Sequence, residues 1–220
     1  MKKLFNALLA AFSLLTFTAC FDITEDVTVN KDGSGIYVST MDATKLGEQL
    51  KAFAAFDSTG EMIPKLKYSL DSTFRDLWTR YSKVKGISNL KIDTSKEYVY
   101  KMTMNFTDFT ALNTAINIDK KDATQKDIYT WEKGKVSRKD AAMNLGDLGA
   151  GGDDQQKEMA KGMLKEMTYK TIFRLPNDVK TVSNKAAKIE SDKKTVVLEC
   201  NLLEATEGTV KLGTEINYKN

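Results

Sequence analysis

Short runs of alternating apolar and polar residues, joined by tight turns, dominate this chain and favour antiparallel β-strands. In the clearest case, a run over 22–30 and a run over 36–41 flank the turn Asn30-Lys-Asp-Gly-Ser-Gly35. Asparagine and glycine readily adopt the backbone angles that tight turns require. Apolar residues at every second position turn one face of each strand towards a core. The sequence therefore predicts a β-hairpin close to its N-terminus.

Two further hairpins are predicted by the same pattern, over 87–93 with 97–106 and over 127–131 with 135–139. Single strands are expected over 168–175, 179–182, 186–190, 195–201 and 209–218. One strand face carries a large apolar set, since side chains two positions apart point the same way: Tyr98, Tyr100, Met102, Met104 and Phe106. Because hairpins dominate, we expect an α+β fold in which antiparallel hairpins form a sheet packed by two to four helices.

Helical spacing appears between the predicted strands. Asp42 or Thr44 is expected to cap a first helix, and Ile63-Pro64 to open a connector to a second helix over about 69–84. The second helix has an apolar stripe at 3,4 spacing: Phe74, Leu77, Trp78, Tyr81 and Val84. A short helix over 108–118, capped by Asp108, and a brief helical turn over 202–205 complete this set.

The composition changes at 144–154, where a Gly-rich segment is interpreted as flexible. A Met-rich amphipathic helix is predicted to follow over 155–167. The favoured interpretation is a peripheral helix lying on the sheet. The alternative is a movable lid, because methionine packs adaptably against different surfaces.

The first twenty residues have the order of a secretory signal. Lys2 and Lys3 are followed by an almost unbroken apolar run over 4–17, and small residues precede Cys20. The apolar run is shorter than the roughly 20 residues of a membrane-spanning helix. A signal peptide over 1–19 is therefore favoured over a transmembrane anchor, and residues 20–220 are expected to form a single domain.

The end of this stretch resembles a lipobox, with Phe17 where leucine is usual and Cys20 as the final residue. The resemblance implies a bacterial lipoprotein in which Cys20 carries a diacylglyceryl thioether and usually an acyl chain, such as palmitate, on its amine. Each buried methylene contributes roughly 0.8 kcal/mol, and two or more chains make anchoring stable. The implied location is the cell envelope, anchored to the outer or inner membrane and facing the periplasm or cell surface.

Composition argues against several classes of function. Histidine is absent, which removes the usual general base near neutral pH and the commonest transition-metal ligand. The net charge of +3 becomes +1 once Lys2 and Lys3 are removed, so no nucleic-acid partner is indicated. Cys200 lies in an apolar run and is interpreted as a buried thiol. We expect no catalytic residue, no metal ligand and no cofactor.

Two short segments are similar to the acceptor consensus of some bacterial periplasmic O-glycosylation systems. They are Asp57-Ser58-Thr59 and Asp71-Ser72-Thr73. Ser58 and Ser72 are therefore candidate modification sites. The alternatives are an unmodified turn at Ser58 and a helix N-cap at Ser72.

The order of these features resembles the LppM-type lipoprotein domain over about 22–218. A lipid-bearing cysteine leads directly into a hairpin with the turn Asp32-Gly-Ser-Gly35. Helices and further hairpins follow, and then Phe173-Arg-Leu-Pro176 before the closing strands. The resemblance implies an α+β envelope domain without an established catalytic centre, in contact with lipids or glycolipids.

Taken together, these features predict a membrane-anchored, non-enzymatic lipoprotein that serves as a scaffold or contacts an envelope component, with a lipid, glycolipid or envelope protein as the candidate partner. The alternative is a lipid- or glycolipid-binding module in which an apolar groove is enclosed around Phe53, Trp78 and Met163. A cavity of several hundred Å³ would support that alternative.

Overall fold

A computed structural model describes residues 21–45, 47–48, 51, 60–118, 127–140, 158, 161–162 and 164–220. Within them, two β-sheets and three helices with defined ends form an α+β fold, which confirms the predicted fold class. Cys20, Ser58 and the Gly-rich segment 144–154 lie outside the described residues.

Eleven strands occur in the described part of the chain: β1 (Asp22–Val29), β2 (Gly35–Asp42), β3 (Ile87–Asp93), β4 (Val99–Phe106), β5 (Tyr129–Glu132), β6 (Lys135–Arg138), β7 (Thr168–Arg174), β8 (Val179–Val182), β9 (Lys188–Ile189), β10 (Thr195–Asn201) and β11 (Thr214–Tyr218). Seven form one sheet in the order β3-β4-β2-β1-β7-β10-β9, with β1 in the middle. The other four form a smaller sheet in the order β5-β6-β11-β8.

The three predicted hairpins are confirmed as β1–β2, β3–β4 and β5–β6. In the first turn, a carboxylate oxygen of Asp32 accepts hydrogen bonds from both the backbone N–H and the hydroxyl of Ser34. Gly33 has a φ of +84°, which an L-residue rarely adopts. The turn chemistry read from the sequence therefore accounts for this hairpin.

The larger sheet differs from the prediction in one respect, because it is not wholly antiparallel. β1 pairs with β7 in the parallel direction, with Glu25 opposite Thr171. Parallel neighbours need a long crossover and leave no local turn signal. The pairing of strands so far apart in the chain therefore could not be found from hairpin patterns.

The described helices with defined ends are α1 (Met62–Tyr81), α2 (Phe109–Ile116) and α3 (Leu202–Glu207). Asp108 caps α2 as predicted, and its carboxylate accepts from the Ala111 N–H at 2.8 Å. Helical residues also occur at 44–45, 47–48 and 51, and at 158, 161–162 and 164–165.

The prediction that Ile63-Pro64 opens a connector is wrong, because α1 begins at Met62. Proline is tolerated in the first helical turn, where its missing N–H would have no helical partner. α1 also ends at Tyr81, earlier than predicted. Tyr81 and Val84 are buried, whereas Trp78 is 43% exposed and lies at the margin of the core.

Two predicted strands are shorter than expected. The strand over 186–190 is reduced to β9, and the strand over 209–218 begins only at Thr214. The residues before Thr214 leave α3 through Gly208, whose φ is +70°. α3 extends to Glu207, two residues beyond its predicted end at 205, and the last strand begins later than predicted.

The main core lies between the sheets and helices α1 and α2. It contains most of the predicted apolar face of β4, and each of Tyr98, Tyr100, Met102, Met104 and Phe106 is less than 9% exposed. A second cluster surrounds the beginning of β1, where Phe21 and Ile23 pack against Tyr169, Leu198 and Leu202. The chain is therefore held in packed structure from the first described residue.

Gly35 offers a test of how closely β2 packs. A Cβ at Gly35 would lie 2.0 Å from the Thr28 carbonyl oxygen and 2.5 Å from the Phe106 ring. We expect Gly35→Ala to lower the free energy of unfolding by about 2 kcal/mol, because backbone and core must shift. Urea unfolding measures this change.

Gly162→Ala is the matched control for that measurement. Gly162 is helical, and a Cβ there meets nothing within 4 Å. Alanine should therefore be neutral or stabilise by up to about 1 kcal/mol. Equal losses from the two substitutions would contradict the close packing described for Gly35.

Candidate functional site

Glu25 places a carboxylate on the inner face of the central strand. Val27 and Val29 follow on the same face of β1 and are buried. In the sheet register, Glu25 lies between Ser39 on β2 and Thr171 on β7. A charged group on this apolar face requires polar partners, because an unpaired buried charge is very costly.

Three tyrosine hydroxyls supply those partners. Glu25 Oε1 accepts a hydrogen bond from the Tyr37 hydroxyl at 2.9 Å. Glu25 Oε2 accepts from the Tyr129 hydroxyl at 2.6 Å and also from the Tyr169 hydroxyl. Tyr37 and Tyr169 belong to the larger sheet, and Tyr129 belongs to the smaller one. The carboxylate therefore links the two sheets.

Arg138 on β6 places a cation beside the same carboxylate. Its side chain is 4% exposed, and its Nε lies 3.8 Å from Glu25 Oε2. Nη2 donates to the Tyr169 hydroxyl at 3.0 Å, and Nη1 donates to the Lys139 carbonyl at 3.3 Å. The guanidinium carbon also lies 5.9 Å from the Tyr129 ring centre and 5.6 Å from that of Tyr169. We call Glu25, Tyr37, Tyr129, Arg138 and Tyr169 the interior polar cluster.

The protonation states in the interior polar cluster follow from burial and charge. Burial and the Glu25 carboxylate raise the pKa values of Tyr37, Tyr129 and Tyr169 well above that of free tyrosine. Burial alone would lower the pKa of Arg138, but the neighbouring tyrosines and Glu25 raise it above its ordinary value. The tyrosines therefore stay neutral donors and Arg138 stays charged. With three donors on its carboxylate, Glu25 is engaged in structure and is not a free base.

A separate cleft of about 300 Å³ lies at the turn end of β1 and β2. Its lining comes from the β1–β2 turn, the start of α2 and the chain around β5: Asp32, Gly33, Asp108, Phe109, Thr110, Asn113, Asp127, Tyr129, Thr130 and Trp131. We call it the distal cleft, because it lies at the end of the sheet away from residue 21. Phe106, two residues before Asp108, pairs with Gly35 at this same end.

The wall of the distal cleft is rigidly built. The indole Nε1 of Trp131 donates to the Tyr218 hydroxyl at 2.8 Å. A Cβ on Gly33 would lie 2.7 Å from the Trp131 ring, so only glycine allows this close approach. Asn113 is 5% exposed and holds the Tyr129 backbone with two hydrogen bonds of its side-chain amide. The cleft is therefore preformed from three segments distant in sequence.

The residues predicted for an apolar groove are only partly described. Phe53 and Met163 lie outside the described residues, and Trp78 donates from Nε1 to the Leu90 carbonyl at 3.3 Å. In the described part of the chain, no helix is long and apolar enough to cross a bilayer, and no group of three metal-ligating side chains occurs. The distal cleft is lined by both polar and aromatic side chains, unlike the predicted apolar groove.

The other candidate residues have clear positions where they are described. Cys200 is buried as predicted, and burial raises the pKa of its thiol to about 11. Ser72 lies inside α1, so the interpretation of Ser72 as a helix N-cap is wrong. Glycosylation of Ser72 and Ser58 stays a prediction.

Sequence reasoning missed the interior polar cluster and the distal cleft. One signal was present for Glu25, because it interrupts the alternation of Ile23, Val27 and Val29 on a predicted inner face. A charge at such a position indicates a buried partner. No local pattern pointed to Arg138 or Asn113, whose partners lie on other elements.

Comparisons with known proteins include a distant likeness to a solved structure. No family model matches the chain, and no curated protein matches it. The NMR structure of the folded domain of LppM from Mycobacterium tuberculosis is similar over 91% of this chain and 91% of that chain. The identity is 9% and the TM-score is 0.43, and we draw no functional conclusion from this likeness.

Glu25→Gln tests the contribution of the interior polar cluster. The substitution leaves the Arg138 charge buried without its carboxylate, so we expect the free energy of unfolding to fall by about 3 kcal/mol. Asp26→Asn is the control on the next residue, because Asp26 pairs with Arg174, whose side chain is 50% exposed. Because water can solvate the Arg174 cation once the pair is lost, we expect a loss of only about 1 kcal/mol. Equal losses in urea unfolding would show that burial of Arg138 is unimportant.

The raised tyrosine pKa values predict loss of stability at high pH. Unfolded tyrosines ionise near pH 10, whereas Tyr37, Tyr129 and Tyr169 keep their protons in the folded chain. Their contribution is complete below about pH 10 and is lost as the pH rises further, by up to about 1.4 kcal/mol per pH unit for each group. Urea midpoints between about pH 9 and pH 11 measure the slope, which Tyr37→Phe should reduce. A flat profile would contradict the assignment.

Proposed function

We propose that this chain is a bacterial envelope lipoprotein with a non-enzymatic binding or scaffolding role. In this proposal residues 1–19 are a signal peptide and Cys20 is the lipid-modified first residue of the mature protein. The observation that carries the proposal is the position of β1. This strand begins at Asp22, two residues after Cys20, and is the middle strand of the seven-stranded sheet.

The chain immediately after Cys20 is held by packing and hydrogen bonding. Phe21 packs against the cluster around the start of β1, and the Asp22 carboxylate accepts from the Thr168 N–H at 3.2 Å. Lipid chains on Cys20 would therefore be joined to the centre of the sheet without a flexible tether. The domain would be held at the membrane surface of the envelope.

The same geometry defines how the domain would be oriented relative to the lipid attachment point. β1 has eight residues, which at roughly 3.3 Å per residue place its two ends about 26 Å apart. The distal cleft lies at the end of β1 away from Asp22. An anchored domain would therefore present this cleft away from the lipid attachment point, where an envelope component can reach it.

A non-enzymatic role is supported by the chemistry of the side chains. The sequence has no histidine. The inward-facing carboxylate of Glu25 is engaged by three tyrosine hydroxyls. The Cys200 thiol is buried, and a thiol with a raised pKa is a poor nucleophile. Glu25 and Cys200 therefore stabilise the fold, and we assign a binding function to the protein surface.

Replacement of Cys20 tests the lipid anchor. Cys20→Ser removes the sulfur that would carry the diacylglyceryl group, so the chain should accumulate as an unprocessed precursor or become soluble. Detergent phase partitioning follows membrane association, and mass spectrometry of the mature N-terminus reports acyl additions. Each acyl chain adds membrane affinity at roughly 0.8 kcal/mol per buried methylene, so the change in partitioning should be nearly complete.

Cys200→Ala is the matched control, because it removes the other cysteine of the sequence. Cys200 is buried at the end of β10, so its loss should leave processing and partitioning unchanged. Unchanged mass and membrane association after Cys20→Ser would overturn the lipoprotein proposal.

A further inference from the structure

β5 is an edge strand whose outer side faces the distal cleft. It pairs with β6 on one side, and the smaller sheet ends there. The backbone N–H and C=O of Tyr129 point away from β6, since both bond to the side-chain amide of Asn113 at 2.9 and 2.7 Å. Asn113 thus pairs with the edge as one residue of an additional strand would.

The next outward-facing residue of β5 after Tyr129 has backbone groups without a partner among the described residues. In an antiparallel pair, residues alternate between bonding to the partner strand and pointing outward. Lys139 donates to the Ile128 carbonyl, so the residues of β5 that bond to β6 are Thr130 and Glu132. The N–H and C=O of Trp131 therefore point outward like those of Tyr129. Among the described residues, no hydrogen bond to these two groups is found.

Three carboxylates line the distal cleft beside this open edge, those of Asp32, Asp108 and Asp127. Asp108 is already engaged, because its two oxygens accept from the Ala111 N–H and the Thr107 hydroxyl. Hydrogen bonds from Ser34 lower the pKa of Asp32, which therefore stays ionised near neutral pH. Lys139 approaches Asp127 no closer than 4.0 Å, and both side chains are about half exposed or more. The cleft thus combines negative charge with an unpaired main-chain donor and acceptor.

We propose that the distal cleft binds an extended peptide segment that carries an amine-bearing side chain, by adding it as a strand to the edge of β5 at Trp131. Main-chain hydrogen bonds supply affinity in such strand addition, and pockets for alternate side chains supply specificity. The peptide would continue the pairing that Asn113 begins at Tyr129. Its ammonium group would lie beside Asp127, within the negative field of Asp32 and Asp108.

This proposal gives a ligand class to the binding role proposed above and rests on that role. An extended peptide explains the cleft better than a free cation does, because a cation would leave the Trp131 backbone groups unused. It also accounts for the rigid wall, since Trp131 is fixed by Tyr218 and Gly33 before any ligand arrives. Preformed sites lose less conformational entropy on binding.

Tryptophan fluorescence of the full-length chain in detergent measures binding. The sequence has two tryptophans, so Trp78→Phe leaves Trp131 as the reporter. The probe is a short blocked peptide of alternating alanine and lysine. We expect a saturable change in Trp131 emission, and little or none with a peptide in which glutamine replaces lysine. The lysine peptide methylated on its backbone nitrogens should also fail, because it cannot donate to the Trp131 carbonyl.

Asparagine substitutions remove the negative charge of an aspartate but keep the oxygen that stabilises the turn. Asp127→Asn should weaken binding about two- to fivefold, and the further change Asp32→Asn should bring the loss to about tenfold. Asparagine keeps the oxygen that accepts from Ser34. Asp93→Asn is the control, since Asp93 accepts from the Ser95 N–H in a similar turn at the other end of the sheet.

Several outcomes would overturn the proposal. These are no binding of the lysine peptide, equal binding of its N-methylated form, and equal binding of the free diamine 1,5-diaminopentane. Binding of the disaccharide chitobiose in place of the peptide, or pairing of two copies through β5 in analytical ultracentrifugation, would also overturn it. Because the assay uses detergent-solubilised protein, its failure is distinct from a failure of the Cys20→Ser experiment.

Discussion

The interaction on which the rest of the structure depends is the contact of Glu25 with three tyrosines and Arg138. Glu25 belongs to the central strand, whereas Tyr129 and Arg138 belong to the smaller sheet. Apolar contacts between two sheets have little directional preference, but these hydrogen bonds fix one relative position. A well-packed apolar replacement would often be equally stable. We therefore interpret the interior polar cluster as the interaction that fixes a single relative arrangement of the two sheets.

Local sequence signals predicted the local structure well. The three hairpins, the Asp108 cap and the buried face of β4 each depend on residues that are neighbours in the chain. The parallel pairing of β1 with β7 and the division into two sheets depend on contacts between distant segments. The connector predicted at Ile63-Pro64 is instead the first turn of α1, where proline is acceptable.

The distal cleft shows why sequence patterns could not reveal the candidate site. Its residues come from the β1–β2 turn, the start of α2 and the chain around β5, and two of its carboxylates have local roles that account for their identity. Asp32 stabilises a turn and Asp108 caps a helix. Their common negative field arises only when folding brings these segments together. Asn113 has no local role in the sequence, and its pairing with Tyr129 becomes visible only in three dimensions.

The placement of β1 connects the fold to the proposed function. A lipid on Cys20 would pull on the middle strand, which is hydrogen-bonded on both sides by β2 and β7. An edge strand would resist such a load with hydrogen bonds on one side only. The opposite end of the same strand enters the turn that contributes Asp32 and Gly33 to the distal cleft. One rigid strand therefore fixes both the distance and the direction between the proposed anchor and the proposed binding site.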